Sequence, residues 1–479
     1  MGTLEQEVAA VSSQGLLAGL DFRSGQTADY ILERQFQNFP AQTSVPNNPT
    51  NRTARIHVSE GSPFRWCDAS TMRFSFKLTN TSGAPMQLLT GPWGLFARAR
   101  LLCRGVLVHD DQHFARTTEL WSRLVNKLRI EDDQGEVPWD KPFGPGETRR
   151  FMMWPGFGLL QSPQLFILEF CPPTFEYDCV PDADMACVDA GNTWEIWDPQ
   201  ISADILLLDA AFAQQYSSSI LSGNPISYHI SCATTMLIAP PGSPEFTLQI
   251  ARAFSYVKTI YSTFWSNNAS APALPNGVAV SGGRAYVSLP APDGSDAAAS
   301  QAYYDAMVDA GEYQKRLDRT RRHGKEATYF YAAGQNEGTV TDLANVGRTV
   351  NETYMEVQAI WGSRTFPAQP IRGYTQAYSS LRRALSQCVG GSVDITREQF
   401  ESDSFVIALN CEKARSGGSS MHASYSGLSS MGGENLILQF KGMRNNTSLL
   451  GTGKELRCYI TLVHDQSIRV RADGVEVLI

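Results

Sequence analysis

Thr71-Met-Arg-Phe-Ser-Phe-Lys-Leu-Thr79 alternates without a slip. Met72, Phe74, Phe76 and Leu78 fall on one side of an extended chain, and Arg73, Ser75, Lys77 and Thr79 on the other. A break follows at Gly91-Pro92 and Gly94. A second extended run, Ala97 to Val108, carries Arg98, Arg100 and Arg104 and bends at Arg104-Gly105. The period then changes: Phe114, Trp121, Leu124, Val125 and Leu128 recur at helical spacing, with Asp110 and Asp111 ahead of them to cap the helix and favour its positive end. The order is strand, loop, strand, turn, short amphipathic helix.

The same order recurs downstream. Met355, Val357, Ala359 and Trp361 alternate with Glu356, Gln358 and Ile360, Gly362 and Pro367 interrupt, and Tyr374, Tyr378, Leu381 and Leu385 share one helical face. A supersecondary plan used twice points to a duplicated domain.

With 479 residues, each half is long enough to bury its own core. The chain is 42% hydrophobic and 18% charged, with a net charge of −8. An acidic total argues against a protein that coats nucleic acid. Nine cysteines at 67, 103, 171, 179, 187, 232, 388, 411 and 458 include no C-x-x-C pair, so buried, reduced thiols and an intracellular site of synthesis are expected. There is no secretory signal pattern, and the best apolar run, Ile201 to Ala213, is cut by Asp204 and Asp209. A protein soluble by itself is expected.

Residues 1–50 are rich in Gln, Ser, Asn and Pro and read as an arm, with ordered structure expected from Ala54. Short strands are expected at Arg149–Trp154, Gln164–Phe170, Ile201–Leu208 and Ile226–Ile238. Pro240-Pro241-Gly242 reads as the joint between a first domain over 51–240 and a second over 241–479. Within the second, 266–350 shifts to Gly, Ala, Ser, Asn and Pro around one helix candidate, Ser300 to about Arg322, and reads as an insertion. The remaining runs include Phe246–Phe264, Phe405–Leu409, Asn435–Lys441 and the alternating stretch around Leu456–Leu462. Asp473-Gly474 then joins Ser467–Ala472 to Val475–Ile479 as a hairpin. Each half thus offers about eight short strands with one or two short helices. The chain is all-β, two consecutive sandwiches of jelly-roll or immunoglobulin-like topology, with the long excursions between strands suiting the jelly roll.

No stretch carries convincing chemistry. His109 and His113 have zinc-binding spacing, but Asp110 stands where a metalloprotease needs Glu, and the pair spans a strand-to-helix turn. The loop from Asp178 to Asp198, with Asp182, Asp184, Asp189 and Glu195, lacks the order of an EF-hand and reads as a solvated acidic loop. Gly451-Thr-Gly-Lys454 matches only the end of a phosphate loop. Lys315, Arg316, Arg319, Arg321, Arg322, His323 and Lys325 form one basic cluster. It finishes a helix that starts with Asp305 and Asp309, as the macrodipole favours; contact with nucleic acid, anionic lipid or a neighbouring subunit stays open. Catalytic, cofactor-binding and metal residues are therefore all read as none.

The residues do carry a resemblance. R-I-H-V-S-E-G-S-P-F at 55–64, the strand at 71–79, L-F-A-R-A-R at 95–100 and F-A-R-T-T-E-L-W-S-R-L at 114–124 resemble the opening domain of major capsid proteins of Maverick/Polinton-type elements, adintoviruses and related eukaryotic DNA viruses. V-Q-A-I-W-G-S-R-T-F-P-A-Q-P at 357–370, Y-T-Q-A-Y-S-S-L at 374–381, I-T-R-E-Q-F-E-S-D-S-F-V-I-A-L at 395–409 and L-I-L-Q-F-K at 436–441 resemble their second half. The resemblance covers most of 55–265 and 350–479. It implies a double jelly roll, two eight-stranded sandwiches in one chain. It also implies a homotrimer of pseudo-sixfold outline that tiles an icosahedral virion shell assembled inside a host cell. Neighbouring capsomers, a separate penton protein and minor capsid proteins would be partners, with an internal membrane left open. No enzymatic activity, no cofactor and no sequence-specific nucleic acid are implied. The alternatives are a minor capsid or vertex protein of the same fold, or a carbohydrate-binding or cupin-like β-sandwich protein. The insertion at 266–350 would be a tower or a contact loop.

Overall fold

The computed structural model describes residues 30–124, 141–161, 165–240, 245–250, 252–254, 256–266, 275–281, 284–291, 297–323, 355–388, 395–402, 404–412, 427–429, 435–443 and 456–478, with isolated positions between them. Eight strands come first: β1 (Ile31–Pro40), β2 (Thr53–His57), β3 (Arg65–Asn80), β4 (Phe96–Cys103), β5 (Val106–Asp111), β6 (Thr148–Met153), β7 (Pro173–Cys179) and β8 (Trp194–Leu208). Helix α1 (Phe114–Leu124) follows β5, and α2 (Ala210–Leu221) follows β8. These strands form two antiparallel sheets, β1-β8-β3-β6 and β2-β7-β4-β5.

The second set is β9 (Ile226–Ile238), β10 (Phe246–Ile250), β11 (Val257–Ser266), β14 (Glu356–Trp361), β15 (Arg364–Arg372), β16 (Val406–Asn410), β17 (Leu436–Lys441) and β18 (Leu456–Val470). A hairpin, β12 (Val278–Ser281) with β13 (Arg284–Val287), and helix α3 (Ala297–His323) stand between β11 and β14. Helices α4 (Gly373–Cys388) and α5 (Arg397–Ser402) follow β15, and β19 (Val475–Leu478) closes the described chain. The sheets are β9-β18-β11-β16 and β10-β17-β14-β15. Counted along each set, both rolls follow the same path, 1-8-3-6 facing 2-7-4-5. This is a double jelly roll.

The founding stretch behaves as its pattern dictates. Met72, Phe74, Phe76 and Leu78 of β3 are buried, and Phe74 stacks on Tyr177 of β7 across the sandwich at 4.2 Å. The bend at Arg104-Gly105 is a tight hairpin with φ of 50° and 80°, the left-handed region that glycine adopts freely. Asp111 accepts a hydrogen bond from His113 N at 3.0 Å in the turn that opens α1.

Four expectations need correction. The segment read as an arm contributes β1, paired with β8 from Ile31 to Pro40; its polar composition suits a sheet edge whose outer side meets solvent. Its first 29 residues lie outside the described ones. Leu165–Phe170 is no strand: Phe166 makes one bridge to Cys67 and a turn follows. Strand β9 pairs along its length with β18, so it opens the second roll, and the rolls divide at α2 rather than at Pro240-Pro241. Asp209 caps α2 by accepting from Ala211 N and Phe212 N. Finally, the duplicated plan is β4–β5–α1 matched by β14–β15–α4; the counterpart of β3 is β11, which the insertion separates from β14.

The β9–β18 ribbon crosses from one roll to the other. Leu456, Cys458, Ile460 and Leu462 of β18 belong to the second core. Further along, Ile468 and Val470, with Val475 of β19, belong to the first. Tyr228, Ile230 and Cys232 of β9 lie in the first core too, while Met236 and Ile238 pack against the second. Within the insertion, α3 lies on β12 and β13 around Val278, Ala310 and Tyr313. Eight cysteines are buried free thiols; the side chain of Cys388 lies outside the described ones.

Candidate functional site

The polar residues with the most structural consequence sit where the rolls meet. Helix α1 leaves the first roll and lies across the outer side of the β9-β18-β11-β16 sheet. Leu120 and Leu124 enter the second core, and Trp121 meets the Tyr261 ring edge-on at 5.5 Å. Thr117 Oγ1 is 2.7 Å from Thr235 Oγ1, which is 2.8 Å from Thr461 Oγ1, a hydroxyl chain running from α1 through β9 to β18. Arg116 is buried; its guanidinium lies 3.9 Å from the Phe330 ring centre and 4.9 Å from that of Tyr459. Such stacking suits a planar, weakly hydrated cation. Glu119 accepts from Trp93 Nε1 at 3.0 Å and from Arg123 Nε at 2.9 Å, and Arg123 Nη1 donates to Ser404 Oγ at 2.8 Å.

A second polar knot lies along the ribbon. Lys258 Nζ is 2.6 Å from Asp465 Oδ1, both at low exposure, and 3.0 Å from the partly buried Ser231 Oγ. Gln466 Nε2 donates to Val108 O at 2.9 Å, and Arg104 Nη1 to Ala472 O at 2.9 Å, tying β5 and its hairpin to the far end of β18. His464 Nε2 is 3.1 Å from Thr234 Oγ1. Burial lowers the His464 pKa to about 3 and that of His109 to about 4. Burial also raises the Asp111 carboxyl to about 7, against the hydrogen bonds it accepts. Buried groups held by partners from both rolls join surfaces.

The sequence candidates fall elsewhere. His109 lies on β5 with its ring edge-on to Phe157, whereas His113 sits in the following turn against Tyr459; they share no helical face. In the acidic loop the carboxylates hold backbone: Asp182 accepts from Asp184 N, and Asp184 from Gly191 N and Asn192 N. Asp178 pairs with Arg100, and Asp198 with Lys77. Among the described residues no group of three or more His, Cys, Asp or Glu is placed to hold a metal. No described helix is long and apolar enough to cross a membrane. Gly451–Lys454 and Lys325 lie outside the described residues, as do the side chains of the other basic-cluster members.

The two rolls present matching surfaces in different states. The outer side of β9-β18-β11-β16 is sealed by the first roll, leaving Tyr459 and Thr461 each 2% exposed. The outer side of β1-β8-β3-β6 is partly open: Phe36 is 68% exposed, Trp197 39% and Met152 38%, while Ser75 and Ser202 on the two central strands are buried and Phe212 and Tyr216 of α2 pack on Trp66 at one end. On the second roll an open groove of about 600 Å³ runs between β15 and α4, lined by Phe366, Pro367, Pro370, Ile371 and Ser379 among others.

No family model and no curated protein matches the sequence. Solved structures do. The chain is similar to PBCV-1 VP54 fitted into a reconstruction of the virophage Sputnik, with 9% identity, a TM-score of 0.54, and coverage of 96% of this chain and 99% of that one. It is similar to a chain of the Sputnik virophage structure, at 10% identity and a TM-score of 0.52 over 97% and 92% of the two chains. It is also similar to the Faustovirus major capsid protein, at 9% identity and a TM-score of 0.52 over 97% and 94%. At these identities the likeness establishes a shared fold over nearly the whole chain.

Proposed function

We propose that the chain is a viral major capsid protein that assembles as a trimer of pseudo-hexameric outline and tiles an icosahedral shell. The observation that carries this is the internal duplication. Two rolls of one strand order stand side by side in a single chain, so three chains present six similar blocks. Head-to-tail contacts that close on themselves give cyclic oligomers. Sixfold-like blocks then pack edge to edge. The end-to-end likeness to capsid folds supports the same reading, as do the fixed seam residues, which join the two blocks. The location is the virion. Neighbouring capsomers, a penton protein at the fivefold points and minor capsid proteins are the partners, and the protein does no enzymatic chemistry.

Light scattering on the purified full chain tests this directly. A particle of three times 52.7 kDa, hexagonal in electron micrographs, is expected. A monomer that binds a sugar or a metal ion would instead favour a binding β-sandwich protein.

A further inference from the structure

We infer that helix α3 of the insertion joins two copies of this chain, the two helices crossing antiparallel with Gly311 of each at the centre. On the trimer reading above, the two copies belong to neighbouring capsomers, because an antiparallel pair has twofold symmetry and a ring of three chains has none.

Helix α3 uses one side within its own chain. Ala310 and Tyr313 enter the small core with Val278, and Ala306 is buried as well. The opposite side carries Tyr304, 60% exposed, and Val308, 67% exposed, with Met307 at 52% on its flank. Tyr304, Val308 and Gly311 follow at steps of four and three, so they form one ridge along the helix. A helix side that meets only water is polar; this one is apolar and uncovered by its own chain.

Gly311 is an independent observation. Glycine inside a helix weakens it relative to alanine. The chain itself gives no reason for one here. Gly311 has no positive φ, and a Cβ at this position would meet no atom within 4 Å. What the missing side chain permits is close approach of a second helix backbone. The residue also stands near the midpoint of a 27-residue helix, where a twofold crossing sets it against its own copy.

Charge fixes the direction. In the sequence, the part of α3 before Gln314 carries Asp305, Asp309 and Glu312 and no base. The part that follows carries Lys315, Arg316, Arg319, Arg321 and Arg322 against Asp318. Parallel helices would set like charge beside like. Antiparallel helices set the acidic half of each beside the basic half of the other, and their dipoles oppose as well. An apolar centre with charged ends is the anatomy of a protein contact.

Cross-linking of concentrated full-length protein tests this. Gly311→Cys protein is treated with a short bismaleimide, and the native chain, whose described cysteines are buried, sets the background. Linked pairs of twice 52.7 kDa are expected on a denaturing gel. The same product under native conditions should scatter as more than three times 52.7 kDa, since each link joins two trimers. Ser300 lies about three turns earlier on the same side of the helix, so an antiparallel pair holds its two copies about 33 Å apart along the axis. Ser300→Cys is therefore expected to give no link above background. Adding Val308→Asp to the Gly311→Cys chain should abolish the link with the melting curve in place, because Val308 is exposed. Four results each overturn the contact and leave the trimer reading intact: no link at Gly311, links at both positions, linked pairs confined to a three-chain particle, or an undiminished yield with Val308→Asp. A monomeric native chain that still links at Gly311 overturns the trimer reading and upholds the contact.

Discussion

At the centre of the first roll, rings meet rings: Phe74 stacks on Tyr177, and Phe96 lies edge-on to Phe76 at 5.4 Å. In the second roll β11 and β17 bring one ring pair, Phe264 edge-on to Phe440 at 5.7 Å, and beside it aliphatic groups, Ile260 and Leu438 with Val357 and Ala359 of β14, all fully buried. One strand order is filled by two different sets of side chains. What both rolls keep is alternation, buried groups on one side of each strand and a separate fate for the other. The rolls differ in that second fate, since one outer face is sealed within the chain and its twin is partly open.

Deleting a ring should cost more than deleting an aliphatic group. Phe74→Ala is expected to destabilise by about 3–5 kcal/mol, measured by denaturant unfolding. Because the β9–β18 ribbon belongs to both cores, loss should appear as a shift of one transition. Two separate transitions would show that the rolls are independent after all. Leu438→Ala in the second core should cost about 2–4 kcal/mol, again as a shift of the whole transition.

Acid should act on the seam next. His109 and His464 titrate near 6.5 when unfolded but at about 4 and about 3 when folded. Between pH 6.5 and 4 the unfolded chain therefore gains two protons that the folded one refuses, and stability falls as pH falls. Asp111 opposes this: its folded pKa is about 7 against 3.8 unfolded, so the folded chain holds one extra proton across the same window. The balance is a loss of one proton's linkage, about 1.4 kcal/mol per pH unit. His464→Gln should flatten the slope towards zero; a slope unchanged in that variant would remove His464 from the account.

Smaller effects separate seam from surface. Thr235→Val takes the shared partner from Thr117 and Thr461, and about 1–3 kcal/mol is expected. On the open face, Lys77→Ala breaks an exposed pair with Asp198 and should cost at most about 1 kcal/mol. Equal effects in a thermal melt would mean that the seam hydroxyls are no more critical than solvent-facing charges.

Much of this was legible in the chain. Alternation at Met72–Thr79 and Leu456–Leu462 is a local signal, and the buried sides of β3 and β18 follow from it. The helix at Ala297–His323 was legible for the same reason. Strand β1 was not, because an edge strand with exposed Glu33, Gln35 and Phe36 carries no apolar period. Nor was β9's allegiance: pairing with β18 joins residues far apart in sequence, and the prolines at 240–241 offered a nearer, misleading boundary. The seam residues hid in plain patterns. Arg116, Glu119 and Arg123 read as the polar side of an amphipathic helix, and only the second roll lying over them turns that side inward. A faint signal existed in Lys258 and in His464-Asp465-Gln466, charged or polar groups inside otherwise apolar strands.

The return of β18 and β19 to the first core sets a clock on biosynthesis. Residues 31–208 leave the ribosome early, yet Ile468, Val470 and Val475 complete their hydrophobic cluster. Until those residues emerge, Tyr228 and Ile230 of β9 lack the strand that pairs with them. The nascent protein thus carries an unfinished, adhesive block until β18 and β19 have emerged.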